Sequence, residues 1–455
     1  MNARWPLSKM QGHASMPHVV MIRCRSIVVP LSWLAAMLLP LAAVAADPCA
    51  SDAARALVLG SGGSRGAFEV GAIYHVVVHR GCDFAEVSGT SIGALNAALL
   101  AQAARSSDRA RSLANLQAAA ENLVTQWESI HASRDVMRAR PLGRIRLAVF
   151  GLDSLMDFEP LHEFVRSRVA LDALAAGREL RVGTLTLDDG RYREIAINAA
   201  GIVDTATAHD FIFSSAVVPV FGRTPVLTPP AGDTPMQIGD GGFRHAVPVT
   251  GYFQHCATGT SGAAECVPLT GAGAPPHPRI EQLFVVVTSP YEPDTDRKRS
   301  DAPSAPLEDG RRVLAALGNL LVDRLHRDDL DDMLLFNDLL AWQSRTSRDP
   351  TSPVFPLGSF NRSADAGPPK PYEIAVVSPK RRNPDPLSIF NVDAPTQRVQ
   401  MFCGCIAADE VMQTRFGLAS LGEACATRFP AVKATRRRAE TVALTPASCR
   451  ADTIK

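Results

Sequence analysis

The chain has 455 residues, 46% hydrophobic and 20% charged, with 47 Lys and Arg against 46 Asp and Glu. That near-balance excludes a nucleic-acid binder held by a basic surface, and the apolar fraction excludes a solvated, disordered chain. A polypeptide of this size and composition can bury a large core.

Residues 1–46 carry Arg4, Lys9, Arg23 and Arg25 and no acid, then an apolar run from Ile27 to Leu41, then Ala43-Val44-Ala45-Ala46. A basic start, a short apolar stretch and an A-x-A site predict a secretory signal peptide cut after Ala45 or Ala46. The apolar run falls short of the ~20 residues a membrane-spanning helix needs, and no second run of that kind follows. Eight cysteines then remain (Cys49, Cys82, Cys256, Cys266, Cys403, Cys405, Cys425, Cys449), an even number that reads as disulfides in an exported chain. Cys256 and Cys266 are expected to pair across a glycine-rich loop, while Cys403 and Cys405 each look to Cys425 or Cys449. A zinc site is the weaker reading, because C-x-C with no second close pair lacks the usual ligand spacing.

After a short segment at 47–54, the chain alternates strands and helices to about 290. Strands are expected at 56–59, 84–88, 181–187, 194–199, 236–239 and 282–288, and helices at 67–80, 93–105, 108–131 and 160–169. Alternation of this kind predicts an α/β fold of three layers, a largely parallel central sheet with helices on both faces. From 291 to 455 the chain elaborates the same domain. Cys256 to Pro278, Tyr291 to Gly310 and Arg345 to Pro371 read as surface loops. Arg311 to Trp342 has leucines at helical spacing and predicts one long helix or a hairpin, a core element in preference to a lid. Tyr372 to Val377 returns as a strand, and Pro395 to Arg415 as a helix. Lys433 and Arg436-Arg437-Arg438 form a basic cluster, read as a solvated tail before a membrane-docking patch.

Three stretches carry chemistry. Strand 56–59 runs into Gly60-Ser61-Gly62-Gly63-Ser64-Arg65-Gly66 and then a helix, a layout that offers backbone N–H groups to an anion. Val87-Ser88-Gly89-Thr90-Ser91-Ile92-Gly93 holds G-x-S-x-G before an apolar helix, which puts Ser91 on a sharp turn between Gly89 and Gly93, over unpaired helix amides. Ile238-Gly239-Asp240-Gly241-Gly242 brackets a carboxylate with glycines at a strand end. S-G-G-S-R-G at 61–66, G-T-S-I-G at 89–93 and D-G-G at 240–242, in this order, resemble the three signatures of patatin-like phospholipases. Ser61 stands where that family more often has glycine, and Gly222-Arg223-Thr224-Pro225 departs from the paired prolines usual after such a segment. Residues 151–165, 180–191 and 214–221 resemble the family's intermediate segments.

The resemblance implies a lipid acyl hydrolase with a Ser91–Asp240 dyad. Its oxyanion hole would come from the loop Gly62, Gly63, Ser64, Arg65 and Gly66, chiefly the first two amides. It implies a membrane phospholipid or other acyl-ester lipid as substrate, contact with the membrane periphery, no nucleic acid, no cofactor and no catalytic metal. Arg65 either orients the loop, meets a phosphate head group or forms a salt bridge. A histidine-based triad through His245, or through His162, His209, His255 or His277, is the lesser reading. A dinucleotide site is disfavoured because Arg65 breaks G-x-G-x-x-G spacing. A lipid-binding module without turnover is the remaining alternative.

Overall fold

The computed structural model describes residues 47–140, 154–198, 207–228, 234–253, 280–291, 310–346, 371–380, 392–434, 439–442 and 444–449. The predicted signal peptide, the Cys256–Cys266 pair, His255, His277, most of the three surface loops and Arg436 to Arg438 lie outside these residues. Residues 45–455 form one compact unit.

The frame is an eight-stranded sheet with the order β10-β9-β1-β2-β5-β8-β7, and β6 pairs with β5. Its strands are β1 (Arg55–Leu59), β2 (Glu86–Thr90), β5 (Glu179–Thr186), β6 (Tyr192–Ala196), β7 (Val226–Leu227), β8 (Met236–Asp240), β9 (Gln282–Val286) and β10 (Glu373–Val377). A short ribbon of β3 (Arg138–Ala139) and β4 (Met156–Asp157) stands apart from it. From β10 to β5 every pairing is parallel; β5 with β6, β5 with β8 and β7 with β8 are antiparallel. The expected largely parallel sheet is therefore present, with an antiparallel edge.

Strand alternation sends successive side chains to opposite faces. Leu57 and Leu59 of β1 and Phe284 and Val286 of β9 enter one core. Ala56, Val58, Leu283 and Val285 enter the other. Because both faces are covered, these central strands read as unbroken apolar runs. The first core is filled by helices α1 (Gly66–Tyr74), α2 (Ile92–Ala101), α3 (Arg109–Glu128) and, late in the chain, α9 (Ala394–Phe416) and α10 (Gly422–Arg428). Between them come α4 (Glu159–Arg168), α5 (Leu171–Ala176), α6 (Thr207–Ser214) and α7 (Thr250–Phe253). The second core is closed by α8 (Gly310–Thr346), which buries Leu330, Met333 and Leu340. So α8 is one continuous helix and packs against the sheet.

Caps locate two helix starts: Asp108 accepts from the amides of Ala110 and Arg111 ahead of α3, and Asp393 from that of Thr396 in α9. Three disulfides join Cys49 to Cys82, Cys403 to Cys449 and Cys405 to Cys425. Among the described residues no helix is long and apolar enough to cross a membrane.

Candidate active site

Register brings the two distant chemical motifs together. Thr90, the last residue of β2, pairs with Gly183 of β5, and the next residue of β5, Thr184, pairs with Asp240 at the end of β8. Only β5 separates the two strand ends. A Cβ at Gly183 would lie 2.1 Å from the Tyr192 hydroxyl and 2.3 Å from Thr90 Oγ1, so the crossing strand must be bare there.

Ser91 follows β2 with φ 57° and ψ −124°, a left-handed conformation rare for a residue with a side chain. Its backbone is held on both sides. The Ser91 amide donates to Ser215 Oγ at 2.8 Å, and Ser215 Oγ donates to the Gly183 carbonyl at 2.6 Å. A turn this sharp drives the strand into its own helix, and a Cβ at Gly89 would stand 2.1 Å from the Gly93 carbonyl oxygen. A Cβ at Gly93 would stand 2.5 Å from the Leu59 carbonyl oxygen, so both glycines of G-x-S-x-G are required by contact.

Ser91 Oγ donates to Asp240 Oδ2 at 2.7 Å. Asp240 Oδ1 accepts from the Gly242 amide at 2.8 Å, and the Asp240 amide donates to the Val217 carbonyl at 3.0 Å. Ser91 and Asp240 are each nearly covered, at 6% and 5% exposure. Burial pushes the Asp240 carboxyl up from 3.8 to about 6, against the two hydrogen bonds, which favour the ionised form. Among the described residues no histidine bonds to Ser91. His245 Nδ1 meets Asp329 at 2.7 Å, His162 Nε2 meets Asp210 at 2.8 Å, and His209 Nε2 meets the Val169 carbonyl at 2.7 Å.

The glycine loop joins β1 to α1. It is anchored by the Ser61 amide donating to the Ala246 carbonyl (2.7 Å) and by Thr288 Oγ1 and His326 Nε2 on the Ser61 carbonyl (2.5 and 3.0 Å). Gly63 to Arg65 form a 3-10 turn in which the Arg65 amide bonds to Gly62 O and the Gly66 amide to Gly63 O. Those two amides, expected as anion donors, are spent inside the turn. The amides of Gly62 and Gly63 have no partner among the described residues. Arg65 is buried, its guanidinium 3.7 Å from Asp323 and 3.5 Å from Ser289 Oγ, which is the salt-bridge role among those weighed for it.

Residues 57–251, which hold all three motifs, match the family model described as patatin-like phospholipase. The chain carries a patatin-like phospholipase domain. The matched family is one of lipid ester hydrolases. No curated protein matches the chain. Among solved structures, VipD from Legionella pneumophila is similar at 11% identity with a TM-score of 0.30, covering 80% of this chain and 68% of VipD. ExoU, in its heterodimeric complex with SpcU from the type III secretion system of Pseudomonas aeruginosa, is similar at 19% identity with a TM-score of 0.23, covering 61% of this chain and 51% of that one. At these scores neither likeness bears on the site.

Several residues of the patatin-like site escaped the sequence reading. Ser215 has no motif of its own beyond its place in Ser214-Ser215. Asn96, on the turn after the elbow, donates to Glu69 Oε2 (2.8 Å) and the Gly66 carbonyl (3.2 Å) and accepts from Trp127 Nε1 (2.8 Å), tying α1, α2 and α3 together. Burial pushes the Glu69 carboxyl well above the usual carboxylate range. From α8, Asp323, His326 and Asp329 reach Arg65, Ser61 and His245 respectively, and Asp329 also takes the Val247 amide at 3.0 Å. Their three-residue spacing puts them on one helix face, a signal the sequence held.

Proposed function

We propose that this chain is an exported lipid acyl hydrolase of the phospholipase A or lysophospholipase type, with Ser91 as nucleophile and Asp240 as its base. The observation that carries the reading is the 2.7 Å hydrogen bond from Ser91 Oγ to Asp240 Oδ2 at a strained strand-to-helix turn. A serine hydroxyl becomes nucleophilic when a neighbour takes its proton, and a base with a pKa of about 6 is mostly ionised at neutral pH.

Ser91 Oγ attacks the acyl carbonyl carbon while Asp240 Oδ2 takes the hydroxyl proton. The developing oxyanion is met by the unpaired amides of Gly62 and Gly63, with the first amide of α2, at Ile92, as a further donor. Collapse expels the alcohol, which recovers the proton from Asp240, and leaves an acyl group on Ser91. Water, deprotonated by Asp240, attacks the ester; the fatty acid leaves and Ser91 regains its proton. Phe243, three residues past Asp240, and Val220, three residues past the Val217 that binds the Asp240 amide, are exposed and offer apolar contact to a lipid surface. Export rests on the basic and apolar leader ending in A-x-A and on the three disulfides.

The test is fatty-acid release from phosphatidylcholine vesicles and from a short-chain ester by the wild type beside Ser91→Ala. We expect the substitution to lower kcat by at least about 10^3-fold with the fold intact. Release by Ser91→Ala at the wild-type rate would overturn the assignment. A folded wild type that binds vesicles without releasing acid would favour a lipid-binding module.

A further inference from the structure

Away from Ser91, the C-terminal end of α1 gathers four metal-binding side chains. The helix continues into a π-turn at His75–His79, which sets the two Nδ1 atoms 3.4 Å apart. α9 brings Cys405 and α10 brings Cys425 to the same place, with their sulfurs 3.8 and 3.7 Å from His75 Nδ1. All four donor atoms lie within 4.8 Å of one another, and every one of the four residues except His79 is fully buried. In this structure the two sulfurs form a disulfide.

We propose that, once this disulfide is reduced, His75, His79, Cys405 and Cys425 bind a single zinc ion, so that the site alternates between a covalent and a metal cross-link. A tetrahedral ion with Zn–N near 2.05 Å and Zn–S near 2.3 Å has edges of about 3.3 Å (N to N), about 3.6 Å (N to S) and about 3.8 Å (S to S). The three distances from His75 Nδ1 agree with these to a few tenths of an ångström. The sulfur–sulfur separation has to open, and His79 Nδ1, within 4.8 Å of both sulfurs, has to settle at the N–S edge.

The chemistry balances with a dithiol as reductant. It gives two electrons and two protons, leaves as its own disulfide, and yields two thiols at Cys405 and Cys425; zinc takes both thiolates and releases both protons. With the disulfide formed, Arg80 Nε donates to His75 Nε2 at 3.1 Å, which puts the imidazole hydrogen on Nδ1. Ligation by Nδ1 moves that hydrogen to Nε2, so the Arg80 Nε hydrogen bond has to break and Nε2 turns to Asp409 Oδ1, 3.5 Å away, as its acceptor; Arg80 retains Asp409 through Nη2 at 2.7 Å. A carboxylate behind a ligating histidine is the usual outer support of a metal site. Spacing along the chain conceals the set: H-x3-H lies 330 residues before Cys405, and the two cysteines are 20 apart.

The full-length chain is reduced with a water-soluble phosphine under nitrogen and titrated with Co2+, then with Zn2+. We expect one equivalent of Co2+ with the absorption of a tetrahedral, thiolate-bound ion, its displacement by Zn2+, and no such absorption from the oxidised chain. His79→Ala keeps every cysteine, so adventitious thiolate binding survives it. Its Co2+ affinity should fall by more than the about 10–100-fold typical of losing an outer-shell partner. If circular dichroism shows that His79→Ala fails to fold, Asp409→Asn takes its place, with an expected loss of about 10–100-fold. A reduced wild type without the tetrahedral spectrum, or a variant that binds Co2+ as tightly as the wild type, overturns the proposal.

Discussion

Replacing Asp240 by Asn should abolish turnover and stabilise the protein, and the two effects should follow different pH dependences. Asn preserves the hydrogen bonds, since its Oδ1 can accept from the Gly242 amide and its Nδ2 can donate to Ser91 Oγ. What it removes is the charge. Burial raises the folded-state pKa of Asp240 from 3.8 to about 6. At 1.36 kcal/mol per pK unit that amounts to about 3 kcal/mol. An acid whose folded pKa lies above its unfolded value contributes stability that is complete below about pH 3.8 and lost as pH rises through about 6. Above that pH the wild type holds a buried anion that the variant lacks. Urea unfolding at pH 8 should therefore place Asp240→Asn up to about 3 kcal/mol above wild type, and the gap should close near pH 4. Wild-type kcat/KM should fall below about pH 6, as the base takes a proton. A variant less stable than wild type at pH 8, or a gap independent of pH, would refute the claim that the charge on Asp240 is held at a cost for use.

Ser215→Ala leaves the Ser91 amide without its partner, and an unpaired buried donor costs about 1–3 kcal/mol. Steady-state kinetics should show kcat falling with KM little changed, because the turn is disturbed and the lipid surface is not. Gly183→Ala forces a methyl group within 2.3 Å of two hydroxyl oxygens, so thermal unfolding should show a loss of about 2 kcal/mol or more, together with lost activity. Asp83→Ala removes the carboxylate facing the fully buried Arg178 and should cost about 3 kcal/mol by urea denaturation, with the kinetics of the folded fraction unchanged.

Apolar runs and glycine punctuation made most of the parallel sheet legible. Leu57 to Leu59 and Leu283 to Val286 are apolar without interruption because both faces of a central strand are covered. Ends were less legible than elements. The predicted helix at 67–80 becomes α1 plus a π-turn, since tertiary packing, not propensity, decides how the last turn winds. In α8 the buried contacts come from Leu330, Met333 and Leu340, with Leu325 packed beside them, whereas leucine spacing left open whether the segment was a single helix.

By itself the sequence determined which residue types sit at sharp turns: Ser91 between Gly89 and Gly93, Asp240 before Gly241-Gly242, and two glycines at 62–63. Those are local facts, dictated by the steric needs of a few adjacent residues. Only the tertiary structure decided what each turn faces. The meeting of Ser91 with Asp240, 149 residues apart, comes from the antiparallel insertion of β8 beside β5 and from bare Gly183 between them. Sequence spacing carries no information on strand order, so it could not choose Asp240 over His245 as the partner of Ser91. Gly62 and Gly63 were already the chief donors that the family resemblance implied; the structure adds that a 3-10 turn consumes the amides of Arg65 and Gly66.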